Sequence, residues 1–427
     1  MRRSVLRYTH ILILPVLAMG LVLTGCDSSG SNGDDGPASS IDEPYPDPSD
    51  GAGYANETAI NLQLADLGIR LEGSNPSSST LNDIYDGSIG GSTPIQRLSS
   101  VNNVSAGTYG ELDVVANIQS EIQAFNDPIL ESDRLEQGVD APSTSGPKTA
   151  DELIRFYLDE AQQSSANGVA FNQFAEKGVA SALGYADAAD ILNKFEDGTL
   201  TSEDKWNEAF GHFGAPRTFG DFFDVTANDD GGLPDGSFQN ADGGPDVDVY
   251  SEGVYIWAGY TAERAAAAEA TGNPNNFAAR AFNAFVDGRQ AIDEGNNPDP
   301  ADAREALQAW EETVAVNVIH YINGLEGRLE GLDDGKTIST NGSNTDSDID
   351  EGAWGEAKAF LWALQFESQL SEQDLRDIHN LLGAAPPYGD LTVGEYETDL
   401  QEATDIIADP DENPNAYDFA PENVSAW

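Results

Sequence analysis

The stretch LQAWEETVAVNVIHYINGL, from Leu307 to Leu325, decides the fold. Its apolar residues recur every three or four positions, which is the spacing of one face of an α-helix. Val316 and Ile319 lie off that face, so the helix is apolar on more than one side and is expected to be buried between other helices. The residues that form the periodic face are Leu307, Trp310, Val314, Val318, Tyr321 and Leu325.

Helical periodicity also dominates the rest of the chain, and the alternating patterns typical of strands are scarce. Thr149-Ala-Asp-Glu152 and Ser371-Glu-Gln-Asp374 have the spacing of capping boxes and mark two helix starts. We therefore predict an all-α fold of helical bundles, and the roughly 370 residues that follow residue 55 favour two packed lobes. The other predicted helices are 57–71, 111–125, 172–195, 202–213, 256–270, 276–294, 301–325 and 353–366.

The amino terminus has the pattern of an export signal. Arg2, Arg3 and Arg7 precede an apolar run over 11–23 that is too short to cross a bilayer. The chain's single cysteine, Cys26, follows the small residue Gly25 and is succeeded by Asp-Ser-Ser. One cysteine excludes an intramolecular disulfide.

The residues around Cys26 resemble the lipobox of bacterial lipoproteins. This resemblance implies cleavage after Gly25, a thioether-linked diacylglycerol on Cys26 and acylation of the new amino group. The expected organisation is a signal peptide over 1–25, the lipidated cysteine with a flexible acidic tether over 26–55, and a helical exported domain over 56–427. The expected location is the cell envelope, anchored by lipid to the outer membrane, with the membrane face left open.

The chain is strongly acidic, with 75 Asp and Glu against 20 Lys and Arg and a net charge of -55. Nucleic acid is therefore a poor partner, because phosphate binding requires clustered cations. Apolar residues still make up 39%, enough for a core. A folded protein with this balance is expected in concentrated salt, where repulsion between carboxylates is screened, and we predict a halophilic source.

Asp-rich loops invite comparison with calcium sites. In the loop that starts at Asp346, the sixth position is Glu351 and the twelfth is Ala357, where an EF-hand requires Gly and Glu. The loop over 226–237 fits no better, since it begins with Thr226 and ends with Ser237. We expect solvated loops there and no specific calcium site.

The candidate metal ligands are Glu208, His212 and His320. Glu208 and His212 are four residues apart in DKWNEAFGHFGAP, 204–216, which places an acid and an imidazole on one helix face. Two ligands do not make a metal site, so the pair is also explained as a surface interaction at a packed helix end. His320 is equally consistent with an interior histidine bonded to Asn317 or Asn323.

Several blocks together resemble an uncharacterised family of bacterial surface lipoproteins, distantly similar to imelysins. This resemblance implies helical bundles and a connection with iron uptake. Imelysins carry a Gly-x-His-x-x-Glu motif that this chain lacks, so no metal ligand or peptidase residue is carried over. The blocks are EKGVASALGY, WNEAFGHFGAP, AFNAFVDGRQAI, AWEETVAVNVIHYIN, WGEAKAFLWALQFE and LLGAAPPYGDLT.

No catalytic fingerprint is present, so we expect a non-enzymatic lipoprotein that binds a ligand or an envelope partner, with iron or another metal as a candidate cofactor. One alternative is a metal-dependent hydrolase that adds Glu311 or Glu356 to the candidate ligands. Another is capture of carbohydrate or peptide in an aromatic cleft. The tryptophans available for such a cleft, most of them expected in the core, are Trp206, Trp257, Trp310, Trp354 and Trp362.

Overall fold

The computed structural model describes residues 45–46, 53–73, 76–125, 127–135, 146–161, 164–219, 237–238, 245–340 and 347–427. The predicted signal peptide, Cys26 and nearly all of the tether lie outside these residues. None of the described helices has both the length and the apolar character needed to cross a bilayer.

The all-α prediction is confirmed. One pair of two-residue antiparallel strands, β1 (Ser237–Phe238) and β2 (Gly253–Val254), accompanies the described helices. The helices are α1 (Ala55–Glu72), α2 (Ser78–Tyr85), α3 (Ile118–Ile122), α4 (Ser132–Leu135), α5 (Ala150–Glu160), α6 (Phe171–Val179), α7 (Ala186–Glu196), α8 (Glu203–Phe213), α9 (Ile256–Ala270), α10 (Phe277–Asp293), α11 (Pro300–Leu329), α12 (Glu351–Phe366), α13 (Glu372–Leu382), α14 (Val393–Ala408) and α15 (Pro421–Val424).

Helix α11 is the centre of the core, as its sequence predicts. Trp310, Val314 and Val318 are fully buried, and so are Val316 and Ile319 on the other side of the helix. It packs against α7, α9, α10, α12 and α14, which come from both halves of the chain. The described helices therefore form one compact unit with one apolar core, and the expected division into two lobes is wrong.

The predicted helix 172–195 is present, but its middle is a π-helical turn, Ala180–Tyr185, between α6 and α7. The Trp257 indole donates to the Ala180 carbonyl (3.2 Å) inside this turn and lies against Gly184. A side chain inserted into the helical ladder favours such a turn. The turn adds a residue and so rotates the start of α7 by about 100° relative to a continuous α-helix.

Two sequence predictions need correction. The predicted helix 111–125 is mostly irregular, and only Ile118–Ile122 is α-helical because Asn117 caps a new start there. The acidic loop near residue 348 is held by protein contacts: Asp348 accepts from Lys336 (2.5 Å), and Asp350 caps α12. The second loop, 226–237, lies almost wholly outside the described residues.

Candidate metal site

Helices α7 and α8 bring three possible metal ligands together. One ligand atom from each of Asp187, Glu208 and His212 lies within 4.8 Å of the other two. His212 Nε2 donates to Asp187 Oδ2 over 3.1 Å. The structure thus confirms the expected proximity of Glu208 and His212 and adds an aspartate from the neighbouring helix.

The three side chains differ in access to solvent. The His212 ring is 1% exposed and Asp187 is 23% exposed. Glu208 is 21% exposed. An ion from solvent can therefore reach the carboxylates first and meet the fixed imidazole behind them.

Packing of α8 explains why His212 is fixed. Trp206, Phe210 and Phe213 are fully buried on the opposite face, and the Trp206 indole donates to the Phe285 carbonyl over 2.9 Å. The helix ends at Gly214, whose φ of 74° is left-handed and favours glycine. The predicted packed helix end and the candidate ligand pair are therefore two faces of one helix.

Helix α1 approaches the same place through Gly211. A methyl group added at Gly211 would lie 2.7 Å from Glu57 Cβ and 2.9 Å from Tyr54 Cβ. Only glycine permits this contact, because real Cβ atoms do not approach so closely. The contact sets Glu57 beside the residue that precedes His212.

Charge in this cluster is predominantly negative. Burial raises the pKa of Glu57, and it also raises the pKa of half-buried Glu121 on α3, although the charge of His212 opposes both shifts. Burial opposes protonation of His212, but the hydrogen bond and charge of Asp187 outweigh it and raise the pKa of the imidazole. The cluster therefore attracts positive charge.

One cation already lies at its edge. Lys205 Nζ is 2.5 Å from Glu208 Oε1, and the lysine side chain is 45% exposed. Burial opposes its charge, but the hydrogen bond and charge of Glu208, together with the charges of Asp187 and Glu57, outweigh burial and raise the pKa of Lys205. This exposed side chain can turn into solvent without disturbing the core.

The residue types fit a divalent cation. Carboxylate oxygens and a neutral imidazole bind first-row metals with bonds near 2.1 Å, so three ligand atoms of one tetrahedral ion are about 3.4 Å apart. The separations in the structure, up to 4.8 Å, therefore require movements of up to about 1 Å. Rotation of the two partly exposed carboxylates supplies such movements.

His320 is outside this group. Its Nδ1 hydrogen-bonds the Trp427 carbonyl over 2.7 Å, whereas Asn317 bonds Arg264 and Asn323 bonds the Val424 carbonyl. The expected asparagine partner of His320 is therefore wrong, and the carboxy-terminal residue takes that role. Burial lowers the pKa of His320 to about 4, as expected for a neutral interior imidazole.

The two acids that the hydrolase alternative adds to the candidate ligands also have other partners. Glu311 accepts from the Tyr417 hydroxyl over 2.6 Å, and Glu356 lies 3.8 Å from Lys177 Nζ. The tryptophans considered for an aromatic cleft are each fully buried, so they belong to the core: Trp206, Trp257, Trp310, Trp354 and Trp362.

The sequence analysis did not identify Asp187 as a candidate ligand. It lies in a helix that the sequence predicts, but only the packing of α7 against α8 brings it to His212. Comparison of the chain with protein-family models, curated proteins and solved structures gave no match.

Proposed function

We propose that this chain is a lipid-anchored envelope protein whose helical domain binds a divalent metal ion without catalysing a reaction. The observation that carries the proposal is the meeting of Asp187, Glu208 and His212 within 4.8 Å. The His212 ring is buried, so its position does not have to be fixed when an ion arrives, which lowers the entropic cost of binding.

The anchoring part of the proposal comes from the lipobox resemblance at Cys26. A diacylglyceryl group with a third acyl chain gives stable attachment to a membrane, whereas one chain gives only reversible binding. A metal-binding domain held at the envelope suits capture or delivery of an ion, including iron. The hydrolase alternative draws less support, because the described His320, Glu311 and Glu356 are engaged elsewhere.

The test is metal titration of the purified full chain in 1 M NaCl, where ions bound loosely to the acidic surface are displaced. We expect one Mn²⁺, Fe²⁺ or Zn²⁺ ion per chain and a rise in melting temperature, because the ion binds only the folded state. His212→Gln and Asp187→Asn should each weaken binding at least about tenfold.

The matched control is His320→Gln, which removes the other candidate histidine and should leave the affinity unchanged. Substoichiometric metal by elemental analysis, together with no melting shift for any of the three ions, would refute metal binding. Equal losses of affinity in His212→Gln and His320→Gln would place the ion elsewhere.

A further inference from the structure

A cleft of about 1090 Å³ between α11 and α14 carries a strong excess of negative charge. Eight of its described lining residues are acidic, and none is a lysine or an arginine. None of these eight carboxylates forms an ion pair with another described residue. The described part of the fold therefore leaves the carboxylates of this cleft to be neutralised from solution.

Thr404 is a buried hydroxyl in the wall of the same cleft. It is 5% exposed, and its Oγ1 has no hydrogen-bond partner among the described residues. Threonine inside a helix can donate to the carbonyl four residues earlier, as Thr313 does to Ala309 (2.9 Å) and Thr398 does to Gly394 (2.8 Å). A buried hydroxyl without a partner is unfavourable, so its place in the wall of a cleft points to a bound ligand.

The side chains of the cleft offer acceptors and few donors. The Asn323 amide already donates to the Val424 carbonyl over 2.7 Å, and the Gln401 amide donates to Asp405 over 2.9 Å. The Ser425 hydroxyl donates to a backbone carbonyl over 3.1 Å. Ionised carboxylates only accept, so the complementary ligand carries positively charged donors. A peptide fits less well, because its carbonyls would be desolvated without donors to pair with.

The acids of the two helices recur along the cleft at a regular spacing. Glu397 and Asp405 are eight residues apart on α14, and Glu326 and Glu330 are four residues apart at the end of α11. Four helical residues rise about 6 Å, and ammonium groups joined by three or four methylenes are separated by a similar distance. One metal ion, with bonds near 2 Å, would leave most of these carboxylates unneutralised.

We propose that this cleft binds a linear polyamine, whose ammonium groups contact the carboxylates of α11 and α14 and donate to the Thr404 hydroxyl. Hydrogen bonds from an ammonium group are charge-assisted and so stronger than those between neutral groups. Leu332 and Phe419 also line the cleft and provide apolar surface for the methylenes. The polyamine site shares no residue with the candidate metal site and does not depend on it.

The experiment is calorimetric titration of spermidine into the full chain at about 0.3 M NaCl, which screens loose binding to the rest of the acidic surface. The cleft variant combines Glu397→Gln with Asp405→Asn. The control variant combines Glu160→Gln, at the end of α5, with Glu294→Gln, before the start of α11, and both of these acids are exposed. We expect one spermidine per wild-type chain, binding about tenfold weaker in the cleft variant, and a change of less than twofold in the control.

A second variant separates a ligand-binding hydroxyl from a merely structural one. Thr404→Val keeps the shape of the side chain and removes the unpaired hydroxyl, so the melting temperature without ligand should rise. Spermidine should nevertheless bind about threefold weaker or more, because the hydrogen bond to its ammonium group is lost. A structural hydroxyl would change the melting temperature alone, so full affinity in folded Thr404→Val would overturn its role.

Further controls keep the proposal open to refutation. Circular dichroism at the same salt concentration establishes folding, and Glu397→Gln and Asp405→Asn are titrated singly if the double variant does not fold. His212→Gln should bind spermidine as wild type does, which distinguishes this cleft from the candidate metal site. Absence of saturable binding in wild type, or equal losses in the cleft and control variants, would overturn the proposal. Tighter binding of tetralysine than of spermidine would show that the cleft takes a basic peptide instead.

Discussion

Lys358 is a cation buried in α12 that forms no ion pair with another described residue, although the charge of Glu131 reaches it. It is 1% exposed, and its Nζ donates to the His379 carbonyl over 3.1 Å. Burial lowers the pKa of Lys358 to about 7, and the charge of Arg134 adds to this effect. The neighbouring His379 ring is also buried, and neither of its nitrogens has a hydrogen-bond partner among the described residues.

Replacing this lysine should therefore stabilise the protein in a pH-dependent way. The pKa is about 7 in the folded chain and 10.5 in the unfolded chain, so the unfolded state binds more protons between those values. Wild-type stability rises with pH across this window, and the full cost of the buried charge is present below pH 7. We expect Lys358→Met to raise the free energy of unfolding most at pH 6, by up to roughly 5 kcal/mol, and little near pH 10.5.

Urea unfolding at pH 6, 8 and 10 in constant NaCl measures the effect. Lys336→Met is the control, because that ammonium is 40% exposed and pairs with Asp348. A gain of equal size at every pH would show that lost charge is not the cause.

Lys205 is predicted to compete with the metal ion. Its ammonium occupies Glu208 Oε1, so an ion must displace it or bind beside a positive charge. We expect Lys205→Met to tighten Mn²⁺ binding at 0.1 M NaCl on the order of threefold to tenfold, from the repulsion between charges about 5 Å apart in water. Lys336→Met removes the same charge at a similarly exposed position and should change affinity little. Weaker binding in Lys205→Met would mean that the lysine supports the site.

At the scale of elements, the sequence predicts the helix bounds and caps that depend on neighbouring residues along the chain. Helix α9 has the predicted bounds, and the Thr149 and Ser371 capping boxes are both formed. Helix α14 was missed although Thr392 and Glu395 form a capping box at its start. Its apolar spacing, at Tyr396, Leu400, Ala403 and Ile407, was also available in the sequence.

Part of the candidate site can likewise be predicted from neighbours along the chain, and part cannot. Glu208 and His212 share one helix, so their spacing predicts their proximity. Asp187 joins them only through the π turn before α7 and the packing of α7 against α8. A single sequence contains no direct signal for either feature, because both depend on residues far apart in the chain.

The contact between α1 and α8 gives a prediction about two helical glycines. Gly211→Ala places a methyl group 2.7 Å from Glu57 Cβ and near the Tyr54 backbone, so the helices must separate. We expect a loss of about 1 to 3 kcal/mol in unfolding free energy, from overpacking, and weaker metal binding. Gly327→Ala, in α11 with nothing within 4 Å, should instead stabilise by roughly 1 kcal/mol through helix propensity. Chemical denaturation of both variants measures the contrast, and stabilisation by Gly211→Ala would contradict the close contact.

At the scale of the whole molecule, a cleft where the carboxy-terminal helices meet is lined by many acidic residues. This cleft of about 1090 Å³ lies between α11 and α14, and no lysine or arginine is among its described lining residues. Burial and the charges of Glu397 and Asp405 raise the pKa of Glu326 in this cleft. Its eight acidic residues are Glu326, Glu330, Asp334, Glu397, Asp405, Asp409, Asp411 and Asp418.

Repulsion on this scale predicts that salt stabilises the fold. With a net charge of -55, the melting temperature should rise by several degrees between 0.1 and 2 M NaCl, because the screening length falls from about 10 Å to about 3 Å or less. EDTA in every sample removes the contribution of bound metal.

The double variant Glu397→Gln, Asp405→Asn should have a higher melting temperature at 0.1 M NaCl and a smaller rise with salt, since it relieves repulsion in the cleft. The control double variant, Glu305→Gln with Glu372→Gln, loses two acids that pair with Arg280 and Arg376 and should keep the full salt dependence. A melting temperature that is flat or falls with NaCl in wild type would refute the halophilic prediction, and equal slopes in the two double variants would show that the cleft is not where the repulsion acts.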